Sequence, residues 1–421
     1  MINQKTAESA LGPYRVLDLT DGGCLIGARL LGDLGADVIK IEEPGGSPSR
    51  IGPYYKDIPH PEKSLFWFAY CANKRGITLD IETADGQVIF KRLVESADIV
   101  IESFDPGYMD SLGLGYSALC AVKPDIILTS ITWFGQSGPK GEYKGSDLTA
   151  WASGAYLLIC GEPDRPPVWV SFPQACLHGG VEAASGSMAA FWHRQLEGEG
   201  QQVDVSLQES IIPITLNATP LWDVNKFEYR RVGAAVSVPT GVRLGMAFRC
   251  RDGYISLYVM GGGAPPLVNS MQSLVGWMDE ERMAPDWLTQ LDWKEDYDAM
   301  KLTQELIDRV ESSVESFMMT KTKSELYEGM VERKIVGAPI STTKDVWENP
   351  QLKARDYWVQ VEHPELTDTL TYCGPSAKMS ESPLNCYRRA PLISEHNEEI
   401  YAGELGISRE KLIILKQAGV I

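Results

Sequence analysis

The stretch "YRVLDLTDGGCLIGARLLGDLGADVIKIEEP", residues 14–44, decides the fold. It opens with a short apolar strand from Tyr14. A glycine-rich turn follows, then a helical stretch that closes at Gly35, then a second strand from Asp37 to Glu42. Working outward, "GITLDI" repeats the strand signal. "TADGQVIFKRLVESADIVIESF" gives a helix with Thr83 as N-cap and a strand ending near Phe104. "DIILTSITWF", a helix over about Gly179–Arg194 and the strand "QQVDVSL" continue the alternation. Strands alternating with helices at this spacing predict βαβ units, a parallel sheet and an α/β fold.

The pattern changes after about Asn225. "RLGMAFRCRDGYISLYVM" predicts two strands joined at Arg251-Asp252-Gly253, and a charged, mostly helical stretch runs on to about Lys334. Residues 1–224 therefore read as the first part of a large domain and 225–334 as a smaller α+β domain. Residues 335–421 begin as loop and short helix. They end in two short helices joined at Gly406, the second capped by Ser408 with Glu410 in its first turn.

With 421 residues, the chain is long enough for one large and one small domain. Its composition, 44% hydrophobic and 23% charged, is globular rather than disordered. A formal net charge of -18 leaves no basic excess to neutralise phosphates, which argues against a nucleic-acid partner. The first 20 residues hold no apolar signal core, and no stretch approaches 18 apolar residues, so a cytoplasmic, non-membrane protein is expected. Eight cysteines lie scattered at 24, 71, 120, 160, 176, 250, 373 and 386, with no CxxC pair or zinc-finger spacing, as expected of reduced thiols.

Several motifs are candidates for chemistry. "TDGGCLIG" is a strand-to-helix turn that could hold a phosphate on free N–H groups, or a plain tight turn, and it does not match GxGxxG. Lys74 and Arg75 in "YCANKRGITLD" suit a phosphate or carboxylate, or else a solvated turn; Lys140 and Lys144 could join them. Gly261, Gly262 and Gly263 make either a flexible lid loop or a simple hairpin exit. The histidines at 60, 178, 193, 363 and 396 show no metal-binding spacing, so no metal is expected, and no GxSxG elbow is present. In "SFPQACLHGGVEAASGSMAAF", from Ser171, small residues at helical spacing give a face for close backbone approach. No carboxylate precedes Glu182 there.

Seven ordered segments resemble one family over nearly the whole chain. They are "YRVLDLT…LLGDLGADVIKIEEPGG", "CANKRGITLDIET", "ADIVIESFDPGYMDSLGL", "WFGQSGPKGEYKGSDLTAWASG", "GEGQQVDVSLQES", "GAPISTTKDVWENPQLKARDYW" and "GISREKLIILKQAGVI". The family is the class III (CaiB/BaiF-type) CoA-transferases. The resemblance implies a Rossmann-like large domain built from both chain ends, with 335–421 returning to it, and two interlocked chains. It implies a CoA thioester as substrate and no permanently bound cofactor. In such proteins an aspartate attacks the acyl-CoA, giving a mixed anhydride and then an aspartyl-CoA thioester, beneath a glycine loop that excludes water.

Aligned on the alanine-glycine helix and on "YKGSDLTAWASG", the family's aspartate falls at Cys176. A thiol there would only exchange acyl groups with CoA; it cannot form the carboxylic anhydride. An inert, space-filling cysteine is the favoured reading. Ser111 replaces an expected arginine, Ser146 an aromatic, and "GGCLIG" is one residue short. Lys74, Arg75, Phe104 and Lys144 match CoA-contacting positions. The chain thus resembles the aspartate-lacking subunit of a heteromeric member that moves CoA from succinyl-CoA to an aromatic carboxylate, with a catalytic paralogue as partner. Two alternatives stand beside it. One is a self-sufficient homodimer, with Glu182 or Asp147 as nucleophile or His178 and an acid as racemase bases. The other is a regulatory protein that holds CoA without turnover.

Overall fold

Val16, Leu17 and Leu19 bury β1 (Arg15–Leu19) at the centre of a six-stranded sheet. The computed structural model describes residues 9–170, 172–215, 218–237, 241–384 and 388–421; Ser171 and Cys386 lie outside them. The sheet is completed by β2 (Asp37–Glu42), β3 (Lys74–Thr78), β4 (Ile99–Glu102), β5 (Ile127–Thr132) and β6 (Gln202–Ser206). All pairings are parallel, in the order β3-β2-β1-β4-β5-β6. β3, β4 and β5 are buried along their whole length, as strands covered on both faces must be.

All six strands come from the first half of the chain. The C-terminal residues add a helical layer and an edge instead of strands. Ile400, Tyr401, Leu415 and Val420 pack into the core formed by Ile89, Phe90 and Leu93 of the Ala84–Glu95 helix. The outer edge of β3 is covered by the segment after Arg388. The Gly76 amide donates to His396 Nδ1 at 3.0 Å and the His396 amide donates back to the Gly76 carbonyl at 2.9 Å. The Thr78 amide donates to Asn397 Oδ1 at 3.0 Å. An open strand edge is thereby closed by the chain itself.

Two compact units emerge. One holds Met1–Tyr156, Val170–Pro220 and Pro350–Ile421; the other holds Leu157–Trp169 and Leu221–Asn349. Against the expected 225–334, the second unit runs on to Asn349 and also takes in Leu157–Trp169. That segment carries no periodic apolar signal; the Val168 amide closes it on itself at the Cys160 carbonyl, and the Gly233 amide ties it to its unit at the Gly161 carbonyl. Within this unit Ala247–Cys250 and Gly253–Leu257 form the expected hairpin, with Cys250 opposite Gly253. The helices Pro265–Glu280, Gln304–Met318 and Lys323–Arg333 pack around a core that includes Met271, Trp277 and Phe317.

One polar cluster sits inside the first unit. Asp18, Lys40 and Lys74 are all essentially sequestered from solvent. Lys74 Nζ lies 2.7 Å from Asp18 Oδ2 and donates to the Leu25 carbonyl at 2.8 Å. Lys40 Nζ donates to the Thr20 carbonyl at 2.7 Å. Burial pushes the Asp18 carboxyl up, but the Lys74 and Lys40 ammoniums outweigh it and hold the group below the usual carboxylate range. Its stabilising contribution is therefore present above the unfolded carboxylate pKa and is lost as pH falls through the folded one. Asp18→Asn leaves the buried Lys74 ammonium without its ion-pair partner and takes from Lys40 the carboxylate that acts on it most strongly. A loss of about 3–5 kcal/mol in unfolding free energy is expected from urea titration at neutral pH; an unchanged midpoint would contradict this account.

Candidate active site

Strand order reverses between β1 and β4, and in open α/β sheets the crevice outside the strand C-termini at such a point is where ligands bind. A cleft of about 500 Å³ opens there. Its lining begins with Asp21–Cys24 after β1, continues with Ser103–Pro106 after β4, Thr132 at the end of β5 and Trp133 beyond it, and includes Asp147 and Cys176. Aromatic walls come from Phe66, Phe104, Trp133 and Tyr143.

The turn after β1 uses three of its amides within the protein. The Thr20 amide donates to Asp18 Oδ1 at 2.9 Å, the Asp21 amide to Ser103 Oγ at 2.9 Å and the Gly22 amide to Ser49 Oγ at 2.7 Å. Those three amides are therefore taken up within the protein. The glycines of "TDGGCLIG" serve close packing. A Cβ on Gly23 would stand 2.8 Å from Cys176 Cβ, and one on Gly27 would stand 2.7 Å from the Gly180 carbonyl oxygen. The small residues of the Gln174–Glu197 helix thus meet the Leu25–Asp33 helix backbone to backbone.

Cys176 lies in the first turn of that helix and is half-buried. Asp147 caps it from outside: its Oδ1 accepts from the Ala175 amide at 2.7 Å. The Asp147 carboxylate is itself set at the start of the Asp147–Ser153 helix, whose N-cap is Ser146 in a reciprocal capping box with Thr149. Among the described lining residues there is no lysine, arginine or histidine, and there are three carboxylates: Asp21, Asp105 and Asp147. Thr132 Oγ1 is buried against the cleft with no hydrogen-bond partner. A smaller cavity of about 80 Å³ shares Asp21 and Phe104 and adds Glu42, Glu43, Asp80 and Glu82. Glu42 is neutralised by Arg50 at 2.7 Å.

The expected site residues separate. Phe104 lines the cleft. Lys144 sits on an exposed loop between the lining residues Tyr143 and Gly145, paired with Asp105. Lys74 and Arg75 are not in a turn beside a strand, as expected, but are the first two residues of β3. Lys74 is spent on Asp18, and Arg75 is bound by Asp37 at 2.6 Å, Glu399 at 2.7 Å and Glu404 at 2.5 Å. Neither lines the cleft. Glu182 and Ser111 are exposed, and Glu182 and His178 lie outside the lining. In the second unit, a Cβ on Gly261 would meet the Trp293 carbonyl oxygen at 2.0 Å, and the Gly262 amide donates to that same oxygen at 2.8 Å. Thr132 and the Asp147 cap carried no sequence signal, since each takes its meaning from neighbours distant in the chain.

Glu102, next to the lining residue Ser103, ends β4 with a buried carboxyl. Desolvation pushes it up to about 7, against hydrogen bonds from Ser130 and the Phe104 amide. A raised carboxyl pKa gives stability that is complete below the unfolded pKa and is lost as pH rises through the folded value. Stability should therefore fall between about pH 4.5 and 7.5 by on the order of 3 kcal/mol from this group. Thermal unfolding of Glu102→Gln across that range should show a flatter profile than the parent; parallel profiles would exclude Glu102 as the source.

Comparison with known proteins agrees with this geometry. The model of CoA-transferase family III matches residues 11–397. The succinyl-CoA:(R)-benzylsuccinate CoA-transferase subunit BbsE of Thauera aromatica is 33% identical over 392 residues, covering 92% of each chain. A formyl-CoA:oxalate CoA-transferase of Streptomyces coelicolor is 31% identical over 427 residues, covering 98% of this chain and 99% of the relative. The crystal structure of a CaiB/BaiF family protein from Brucella suis superposes with a TM-score of 0.76 at 26% identity, covering 93% of this chain and 98% of that one. A parallel doubly wound sheet, a cleft at its switch point and a match along nearly the whole length make this chain a member of CoA-transferase family III, whose enzymes work on acyl-CoA thioesters.

Proposed function

We propose that this chain is the non-catalytic subunit of a heteromeric family III CoA-transferase. The complex moves CoA from an acyl-CoA such as succinyl-CoA to an organic carboxylate of aromatic type. The observation that carries the reading is Cys176: at the mouth of the cleft, where the resemblance puts the nucleophilic aspartate, stands a thiol. Covalent transfer through an anhydride needs a carboxylate at that point. The relative 33% identical to this chain is itself named as a subunit, which supports a partner and the choice of acyl donor and acceptor.

The charge of the cleft supports the same reading. CoA carries phosphates at one end; among the described lining residues Asp21, Asp105 and Asp147 are set against no lysine, arginine or histidine, and the adjacent Lys144 is already paired with Asp105, so the cleft offers phosphates little pairing. Contact with CoA from this chain is confined to Phe104 and Lys144, while Lys74 and Arg75 hold the sheet together. The partner subunit supplies the aspartate and the phosphate-binding cations. Interlocking of the two chains and a lid role for Gly261–Gly263 over the partner's cleft belong to this proposal.

A second reading has one observation in its favour. Asp147 is a carboxylate in the same cleft, and it reaches the Ala175 amide beside Cys176. A homodimer using Asp147 as nucleophile would follow. Expression alone and with a paralogue bearing aspartate at the matching position separates the two, with succinyl-CoA and benzylsuccinate as substrates. The chain alone should give no transfer. The complex should be active, keep most activity with Cys176→Ala here, and lose it with the partner's aspartate replaced by alanine. Transfer by the isolated chain that disappears in Asp147→Asn would establish the second reading instead.

A further inference from the structure

Two cysteines distant in sequence meet at this cleft. Cys24 is buried at the end of the glycine turn after β1, and Cys176 is half-buried in the first turn of the long helix; both line the same cavity. Their approach is built in. Gly23 leaves only 2.8 Å between its would-be Cβ and Cys176 Cβ, and Gly180 would press a Cβ within 3.2 Å of the Cys24 carbonyl oxygen. The turn and the helix are thus clamped on both sides of the pair.

We infer that Cys24 and Cys176 form a dithiol site that reacts with peroxide and closes as an intramolecular disulfide across the cleft. Cys176, open to the cavity, is the attacking group. Its thiolate displaces hydroxide from hydrogen peroxide, giving a sulfenic acid. The Cys24 sulfur then attacks the Cys176 sulfur; its thiol proton leaves with the departing hydroxyl as water, and the S–S bond forms. Two thiols and one peroxide give one disulfide and two waters. The neighbouring Cys176 thiol, with burial and the Asp21 and Asp18 carboxylates, pushes the Cys24 thiol well up and keeps it protonated, which suits the resolving position better than the attacking one. Cys71, the other buried thiol of this region, is pushed up to about 12 by burial and faces Lys74, not the cleft. The site is independent of whether the chain transfers CoA.

The test uses the full chain, folded and reduced, exposed to hydrogen peroxide and then alkylated. Digestion with trypsin and chymotrypsin separates Cys176 from Cys160. The expected product is a single Cys24–Cys176 cross-linked peptide, an intact mass lower by two hydrogens, and full reversal by dithiothreitol. In Cys24→Ser the cross-link should vanish and Cys176 should advance to the irreversible sulfinic acid at the same peroxide dose. In Cys176→Ser, Cys24 should stay alkylatable after unfolding, with its oxidation slowed at least tenfold. Circular dichroism checks that both variants fold; if Cys24→Ser does not, the wild-type peptide map and the Cys176→Ser variant decide alone. The inference is overturned if wild-type Cys176 over-oxidises while Cys24 remains free, if Cys176 pairs with another cysteine or another chain, or if Cys24 oxidises equally fast without Cys176.

Discussion

One buried carboxylate organises the sheet. Asp18 stands at the C-terminal end of the central strand with the Lys74 ammonium of β3 against its side chain. Lys40 of β2 donates to the backbone carbonyls of Asp18 itself and of Thr20. Three parallel strands are thereby cross-linked through side chains at the end where the cleft opens. A buried ion pair is seldom worth more than an apolar replacement would be, but each partner is intolerable without the other. Lys74 also donates to the Leu25 carbonyl at the start of the following helix, so the same ammonium fixes where the glycine turn stops. The position of Cys24, and through Gly23 that of Cys176, follows from this.

The fold was legible because its evidence is local. Apolar runs of four to six residues separated by capped helices need no knowledge of distant contacts, and Thr83 and Ser408 cap where the sequence puts them. Charged residues inside strands defeat the same logic. Lys74 and Arg75 look like a solvated turn, since nothing nearby announces that Asp18, 56 positions away, and Glu404, 329 positions away, will bury them. The segment Leu157–Trp169 failed for a related reason: it joins the second unit through isolated backbone bonds without a periodic apolar face. The candidate site was half legible. Cys176 and Phe104 could be placed by resemblance, whereas the acidity of the cleft and the juxtaposition of two thiols exist only after folding.

On the proposed reading, the acidic cleft also bears on how a subunit persists without its own nucleophile. The residues that build the cleft wall are the same ones that end the strands, cap the Asp147–Ser153 helix and seat the long helix on the glycine turn. Removing a catalytic group alters one side chain, but removing the cleft would unpick the packing. On that proposal, chemistry is easier to lose here than architecture, and an assembly that uses the architecture can retain the chain.

The covered edge of β3 sets a condition on biosynthesis. Its partners, His396 and Asn397, lie about 320 residues downstream of the amides they accept. At a synthesis rate of about 5–20 residues per second, that edge stays bare on a growing chain for on the order of 15–60 s. During that interval β1 to β3 can already pair, and Gly76 and Thr78 present open amides to any neighbouring nascent chain. The C-terminal segment thus acts as the chain's own late-arriving shield, and a chain cut short before residue 388 would carry an adhesive strand permanently.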